Sequence, residues 1–324
     1  MSSSSPPEPH LDVGELEQAE QLEGAGSAER ALGEVRGRGG GWTTLAWGLP
    51  GFIWLGFYLV APLTFIVLVS FWTRTDTGFV RHWTGANYGA LLHPFNLSNS
   101  YWENMLTSFE TSAIAVVACL VFGFPVAYFL AMKVEKLQNQ IALFIIALAP
   151  FWTSFLTRSV AWAYPLMGRE GALNQFLVNL HIVSHPVSAF GFSTLSVRLA
   201  MIQLYILFMV TPLFFLLGQV DRHAIEAARD LGGNWFRTFK EVILPQTMPG
   251  IVIGSIFIFV LTMGEYGTVE VISQGAVTTV GVYVHTQIIG SQYPQGAASA
   301  VLLVLILILG VFAITRFSNL REEV

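Results

Sequence analysis

Asp221-Arg222-His223-Ala224-Ile225-Glu226-Ala227-Ala228-Arg229-Asp230-Leu231-Gly232-Gly233-Asn234-Trp235-Phe236-Arg237-Thr238-Phe239-Lys240-Glu241-Val242-Ile243-Leu244-Pro245 is the run from which the rest of this 324-residue chain can be read. Asp221 has the short acceptor side chain of a helix N-cap, which predicts a helix through Leu231. Ala224, Ala227, Ala228 and Leu231 recur at helical spacing and form a stripe of mostly small residues. Gly232 and Gly233 then stop the helix. Asn234 can cap a second helix whose apolar face is Trp235, Phe236, Phe239, Val242 and Ile243, and Pro245 and Pro249 are expected to break it. By composition alone such a helix–turn–helix fits two surroundings: the groove of another protein, or the plane of a lipid interface.

On either side of it the chain is apolar. Hydrophobic residues make up 53% and charged residues 11%, against roughly 25% charged in an average soluble domain. Mean hydropathy is +0.59. These figures exclude a disordered chain, a disulfide-stapled secreted domain and an ordinary soluble enzyme. The single cysteine, Cys119, cannot form an internal disulfide. Six stretches reach the roughly 20 residues needed to cross a bilayer: 42–72, with Pro50 and Pro62 inside it, 104–132, 139–167, 197–218, 250–272 and 297–315. Each is expected to be a helix, because a backbone in lipid must satisfy its own hydrogen bonds. The predicted fold class is therefore all-α: a polytopic membrane protein of six transmembrane helices over 42–318, which include the loop 219–249, with a short C-terminus at 319–324. Residues 1–41 hold eight acids and three arginines, whereas the rest of the chain holds 13 acids and 13 bases. Rich in Ser, Pro and Gly, that segment is expected to be a disordered acidic tail. Its long acidic start does not match a secretory signal. No basic patch of the kind nucleic acid requires is present.

Orientation follows from Lys and Arg. With the N-terminus inside, Arg30, Arg36, Arg38, Lys133, Lys136, Arg222, Arg229, Arg237, Lys240, Arg316 and Arg321 lie inside, against Arg74, Arg81, Arg169 and Arg198 outside. Both termini and the loop 219–249 are thus expected to be cytoplasmic. Trp83, Tyr88, Tyr101, Trp102 and Tyr293 fall near span ends on the other side, as interfacial aromatics do.

Glu226-Ala227-Ala228, three residues, Gly232, nine residues and Val242-Ile243-Leu244-Pro245 resemble the EAA motif of ABC-importer permease subunits, written EAA, three residues, G, nine residues, I-x-LP. Val242 in place of isoleucine is the one departure. Pro150-Phe151-Trp152-Thr153-Ser154-Phe155-Leu156-Thr157-Arg158 with Ala161-Trp162, Gly168-Arg169-Glu170-Gly171-Ala172-Leu173-Asn174, Gly123-Phe124-Pro125-Val126-Ala127-Tyr128 and Gly264-Glu265-Tyr266 resemble the spermidine/putrescine subfamily. The likeness runs over about residues 45–316 and implies a type I permease fold in a bacterial inner membrane. It also implies a second permease subunit as a heterodimeric partner, two ATP-binding cassette subunits and a periplasmic solute-binding protein. On the same footing Glu226, Ala227, Ala228, Asp230, Gly232, Leu244 and Pro245 are candidate ATPase-coupling residues. The implied cargo is a small solute, with polyamine favoured and opines, phosphonates, ferric iron or amino-acid-like solutes as alternatives.

No Gly-x4-Gly-Lys-Ser/Thr run is present, so no cofactor is expected in this chain; ATP and Mg would be bound by a partner. The chain is expected to have no catalytic residue and no metal site; His181 and His185 stand at i, i+4 but lack a zinc-hydrolase glutamate between them. Ionisable residues within spans usually face a bundle interior or a solute path. At 1.5 Å per residue, Glu110, Arg158 and Glu265 lie roughly 9, 13 and 10 Å from the outer ends of their stretches, while Glu270 lies near the surface. Glu110, Arg158, Glu265 and Tyr266 are the candidate substrate-path residues. Two arrangements are open: Arg158 paired with one glutamate as a structural lock, or a carboxylate that receives a cationic solute. An independent secondary transporter would be expected to show internal hydropathy repeats, and none is clear. A membrane enzyme would need a nucleophile or metal grouping.

Overall fold

The computed structural model describes residues 41–75, 78–92, 100–163, 168 and 170–319. The expected acidic tail before Gly41, residues 164–167 at the end of the third stretch, Arg169 and residues 320–324 lie outside the described residues. Residues up to Phe65 form one compact unit and Ile66–Val324 another. Within the first, the described residues are the start of the apolar helix α1 (Gly41–Ser70), on which Phe52, Trp54 and Phe57 are exposed.

Among its described residues the second unit has helices and one hairpin, of β1 (Thr73–Thr75) and β2 (Gly78–Val80). The short α2 (Ala86–Leu92) leads to α3 (Ser100–Tyr128), which ends in a widened π turn at Phe129–Lys133. Next come α4 (Leu137–Leu148), α5 (Phe155–Ala163), α6 (Ala172–Asn179) and α7 (Thr194–Leu217). The chain continues through α8 (Arg222–Asp230), α9 (Trp235–Thr238) and α10 (Leu244–Met263), and closes with α11 (Gly267–Ser273), α12 (Val280–Ile289) and α13 (Tyr293–Asn319). Among the described residues five helices are long and apolar enough to span a membrane, or six if the bent α4–α5 pair counts as one span.

α7 is the hub. Its Met201, Leu204, Met209, Leu213 and Leu217 are buried among α3 on one side and α10 on the other. Close approach to α10 depends on two glycines one turn apart. A Cβ at Gly254 would lie 2.8 Å from Met209 Sδ and 3.1 Å from Phe208 O, and one at Gly250 would lie 3.2 Å from Pro212 O. Small residues at i, i+4 let helix backbones pack without intervening side chains, as they do in lipid.

Two expected spans are not single helices. The third is bent by 84° between the Leu137–Trp152 and Phe155–Ala163 segments. Pro150 has no N–H and its ring blocks continuation of the ladder; the chain tightens into a 3-10 turn at Ala149–Trp152 and becomes extended at Thr153, whose hydroxyl donates to the Pro150 carbonyl at 2.7 Å. The fifth ends at Met263, not 272; after a break at Gly264–Tyr266 the separate helix α11 begins. Conversely, Pro245 and Pro249 do not break the helix before that span. The π turn Phe239–Ile243 directly precedes Leu244 and Pro245 and widens the ladder where the proline lacks its N–H, and helix is continuous from Trp235 to Met263.

Candidate functional site

The first site is the helix–turn–helix read from the sequence. Asp221 caps α8, its carboxylate accepting from His223 N–H at 2.9 Å, and Asn234 caps α9, accepting from Arg237 N–H at 2.8 Å. Between them Gly232 sits at φ +80, Gly232 N–H donates to Arg229 O at 2.8 Å and Gly233 N–H donates to Ala228 O at 2.9 Å. This pair of bonds is the Schellman closure, and it satisfies two carbonyls the helix end would leave orphaned. Gly233 has a part that sequence reading missed: a Cβ there would lie 2.5 Å from Ala228 O, whereas one on Gly232 would meet nothing within 4 Å. On α8 itself only Ile225 is buried. Glu226, Ala227 and Asp230 are exposed, Ala224 and Ala228 half-buried, and Leu231 is 87% exposed. Of the expected apolar face of the second helix, Phe239, Val242 and Ile243 pack into the core while Trp235 and Phe236 remain exposed. Leu244 is half-buried and Pro245 exposed.

The second site gathers at the two breaks. Glu265 lies in the gap between α10 and α11, Arg158 in the first turn of α5, and α5 packs on α11 beside α7. The Ser159 and Thr268 hydroxyls meet at 3.1 Å across the α5–α11 contact. Glu265 is held from two directions: Tyr205 O–H donates to Oε2 at 2.7 Å and Thr268 N–H donates to Oε1 at 2.8 Å. Thr279 Oγ1 donates to the Glu265 carbonyl at 3.1 Å, which ties the start of α12 to the same break. Arg158 does not pair with a glutamate among the described residues. Its guanidinium lies over the Phe151 ring, 4.9 Å from the centroid, and its Nε is buried without a hydrogen-bond partner. Phe151 contacts Phe208 at 5.3 Å between ring centroids; Tyr205 contacts Phe155 and Phe208, each at 6.1 Å. A half-buried carboxylate fixed by two donors, one of them a tyrosine that packs on Phe155 and Phe208, is suited to receive an organic cation.

Of the two arrangements left open, the pairing of Arg158 with a glutamate is not found among the described residues, and two other pairs are. Glu110 pairs with Arg198, at 2.7 Å between side-chain atoms, and Glu265 with Tyr205. Arg198 was counted on the external side at the edge of the 197–218 stretch; Ser193, which accepts from Ser196 N–H at 3.3 Å, caps α7 early enough to carry Arg198 into its second turn. The Ser193-x-x-Ser196 pattern was the available signal. Tyr266 is 46% exposed and stacks on His285 at 4.4 Å, and His285 Nδ1 lies 3.4 Å from Glu270 Oε2. Glu110, by contrast, is not part of the Glu265 cluster in any contact among the described residues.

Comparison with known proteins follows the same outline. The family described as "Binding-protein-dependent transport system inner membrane component" matches residues 120–321. The spermidine/putrescine transport system permease protein PotB of Salmonella typhimurium (strain SL1344) is 33% identical over 272 residues, which cover 83% of this chain and 92% of that one. Its namesake from Escherichia coli (strain K12) is 32% identical over 272 residues, covering 83% and 96%. Among solved structures, a bacterial alginate ABC transporter in complex with its alginate pentasaccharide-bound periplasmic protein aligns with TM-score 0.61 at 14% identity, over 86% of this chain and 94% of that one.

Proposed function

The chain belongs to the family of binding-protein-dependent transport system inner membrane components, and from that premise we propose that it is the permease subunit through which a polyamine such as spermidine or putrescine passes. The observation that carries the cargo is the 32–33% identity to spermidine/putrescine permeases over more than four-fifths of both chains. The Glu265 carboxylate supports it: ammonium groups need a counter-charge where hydration is lost, and this one is anchored by the Thr268 amide and by Tyr205, whose ring packs on Phe155 and Phe208.

In this reading a periplasmic binding protein delivers the solute, a second permease subunit completes the path, and two ATP-binding cassette subunits supply the energy. ATP and Mg belong to those subunits, since this chain has no phosphate-binding glycine loop. The excess of Lys and Arg on one side puts both termini and α8 in the cytoplasm. There α8, with Glu226, Ala227, Ala228, Asp230 and Leu231 accessible, docks in the ATPase, and the rigid passage from α9 through Leu244 and Pro245 into α10 carries its movement into the bundle. α10 ends at the Glu265 break, so one continuous element joins the docking helix to the candidate solute site.

The test is uptake of radiolabelled putrescine and spermidine by cells that lack their own polyamine importers and express this chain with the subunits encoded beside it. Energy-dependent uptake, competed by polyamines and not by 2-aminoethylphosphonate or ferric chelates, is the expected result. Uptake competed only by one of the latter would overturn the cargo and leave the permease reading standing.

A further inference from the structure

The region between α3 and α10 that faces the α9 end of the bundle contains a cavity of about 440 Å³. Leu120, Val121, Phe124, Pro125 and Tyr128 of α3 line one wall, Leu244 and Ile251 of α10 another, and Trp235 and Phe239 close it toward the loop. Its size lies within the roughly 300–1,000 Å³ typical of ligand sites, but apart from the Tyr128 hydroxyl and the Trp235 N–H its lining side chains are apolar. The cavity is elongated along the helices: Val121 to Tyr128 and Leu244 to Ile251 each span about 10 Å at 1.5 Å per residue. Val121 and Trp235 are each 59% exposed, and Phe122, Val126 and Phe129 stand exposed on the same helix, so the slot opens on a surface made for hydrocarbon.

Two cations lie at its loop end, Lys133 five residues past Tyr128 and Lys240 next to Phe239. Lys133 ends the π turn that begins after Tyr128, and Lys240 precedes Leu244 by four residues; both are exposed and neither makes an ion pair or hydrogen bond among the described residues. Arg237, by contrast, is neutralised by Glu241 at 3.1 Å. Tyr128 and Trp235 put amphipathic rings at the loop end of the slot, the level at which such rings sit in a bilayer. An apolar slot with two free ammonium groups at one end has the chemistry to take an acyl chain that carries an anionic headgroup.

We propose that this cavity holds one acyl chain of an anionic phospholipid of the cytoplasmic leaflet, its phosphate received by Lys133 and Lys240. The leaflet rests on the orientation argued above; the site itself does not. Because Trp235 and Phe239 belong to the helix that carries the docking loop into the membrane, the bound lipid braces that loop, and Phe124 against Phe239, 5.3 Å between rings, transmits the contact to α3.

The test uses the chain purified with its co-expressed subunits in nanodiscs that contain phosphatidylglycerol with a photoactivatable diazirine in its acyl chain, and maps the labelled peptides. Both leaflets of a nanodisc carry the same lipid and no solute is needed, so neither orientation nor cargo affects the outcome. Labelling should concentrate at Val121–Tyr128 and Leu244–Ile251. Lys133→Gln and Lys240→Gln should each lower it about five-fold, the effect of about 1 kcal/mol per basic residue at an anionic surface. Phosphatidylcholine with the same chain should label weakly. Ile251→Trp, which fills the slot, should abolish labelling; Val121→Phe serves the same purpose if the larger residue prevents assembly. Equal labelling by the two lipids, or labelling spread evenly over the lipid-facing helices, would overturn the proposal. So would an unlabelled slot, which would mean that a protein segment fills it.

Discussion

Replacing Gly233 by alanine adds one methyl group at the end of α8, the proposed docking helix, and the structure says what it meets. An ideal Cβ at Gly233 lies 2.5 Å from Ala228 O and 3.3 Å from Ala228 C, so it must retreat by about 0.5 Å to reach even a 3.0 Å approach. Both neighbours are backbone, and the carbonyl is the one that accepts Gly233 N–H at 2.9 Å. Relief therefore opens that hydrogen bond. Overpacking of this kind costs about 1–3 kcal/mol, and the lost bond about 1 kcal/mol more. α8 has little with which to absorb it: nine residues, one of them buried, and an isolated helix of that length is marginal in water. A loss of about 2–4 kcal/mol is a factor of roughly 30–1,000 in the population of the closed loop. Gly232→Ala differs, because nothing lies near its Cβ and only φ +80 resists, at about 1–2 kcal/mol. Gly232→Asn should be milder still, since asparagine tolerates that region. The assay is co-purification of the ATPase with each variant, read beside polyamine uptake and membrane abundance. The expected order of loss is Gly233→Ala, then Gly232→Ala, then Gly232→Asn, at unchanged abundance. If Gly233→Ala keeps its ATPase and its uptake while Gly232→Val loses both, the contact with Ala228 has no part in holding the loop.

Glu265→Gln should raise the polyamine concentration needed for half-maximal uptake without lowering abundance, and Tyr205→Phe should do so by about ten-fold, the share of one hydrogen bond to a charged group. In the double variant the effects should not add, and Arg158→Gln should rescue neither, because the two charges are not paired; rescue would restore the ion-pair reading. Gly281→Ala places a Cβ 2.7 Å from Gly264 O and 2.8 Å from Glu265 O, so it should push α12 off the Glu265 break and lower the thermal transition of the purified complex by the equivalent of about 1–3 kcal/mol. An unchanged transition would show that this contact gives way freely. Reporter fusions at residues 20, 135, 235 and 320 should read cytoplasmic and those at 88, 180 and 284 external; a cytoplasmic signal at 88 would reverse the topology and with it the docking role of α8.

What the sequence disclosed and what it concealed divide along a physical line. Caps, glycine stops and apolar length are local properties, so Asp221, Asn234, Gly232 and the spanning stretches were legible from neighbours within a few residues. Proline was ambiguous, because its cost depends on where the freed carbonyl can turn. Pro150 ends a helix at an 84° bend, whereas Pro125, Pro212 and Pro249 lie inside continuous helices and Pro245 follows a π turn. The pairings of buried charge were out of reach for a further reason. Counting residues puts Glu110, Arg158 and Glu265 at one depth, yet depth says nothing about azimuth, and a partner is decided by which helix faces are opposed. Glu110 found Arg198 on α7 and Glu265 found Tyr205 on the same helix, seven residues further on. Both choices follow from the packing of α3 and α10 against α7, which the close approaches at Gly123, Gly250 and Gly254 make possible. Arg158 is left beside Phe151 with an unpartnered Nε because the bend after Pro150 turns α5 away from α4. The same bend brings Ser159 against Thr268, so the break in one span is what builds the wall of the site in the other.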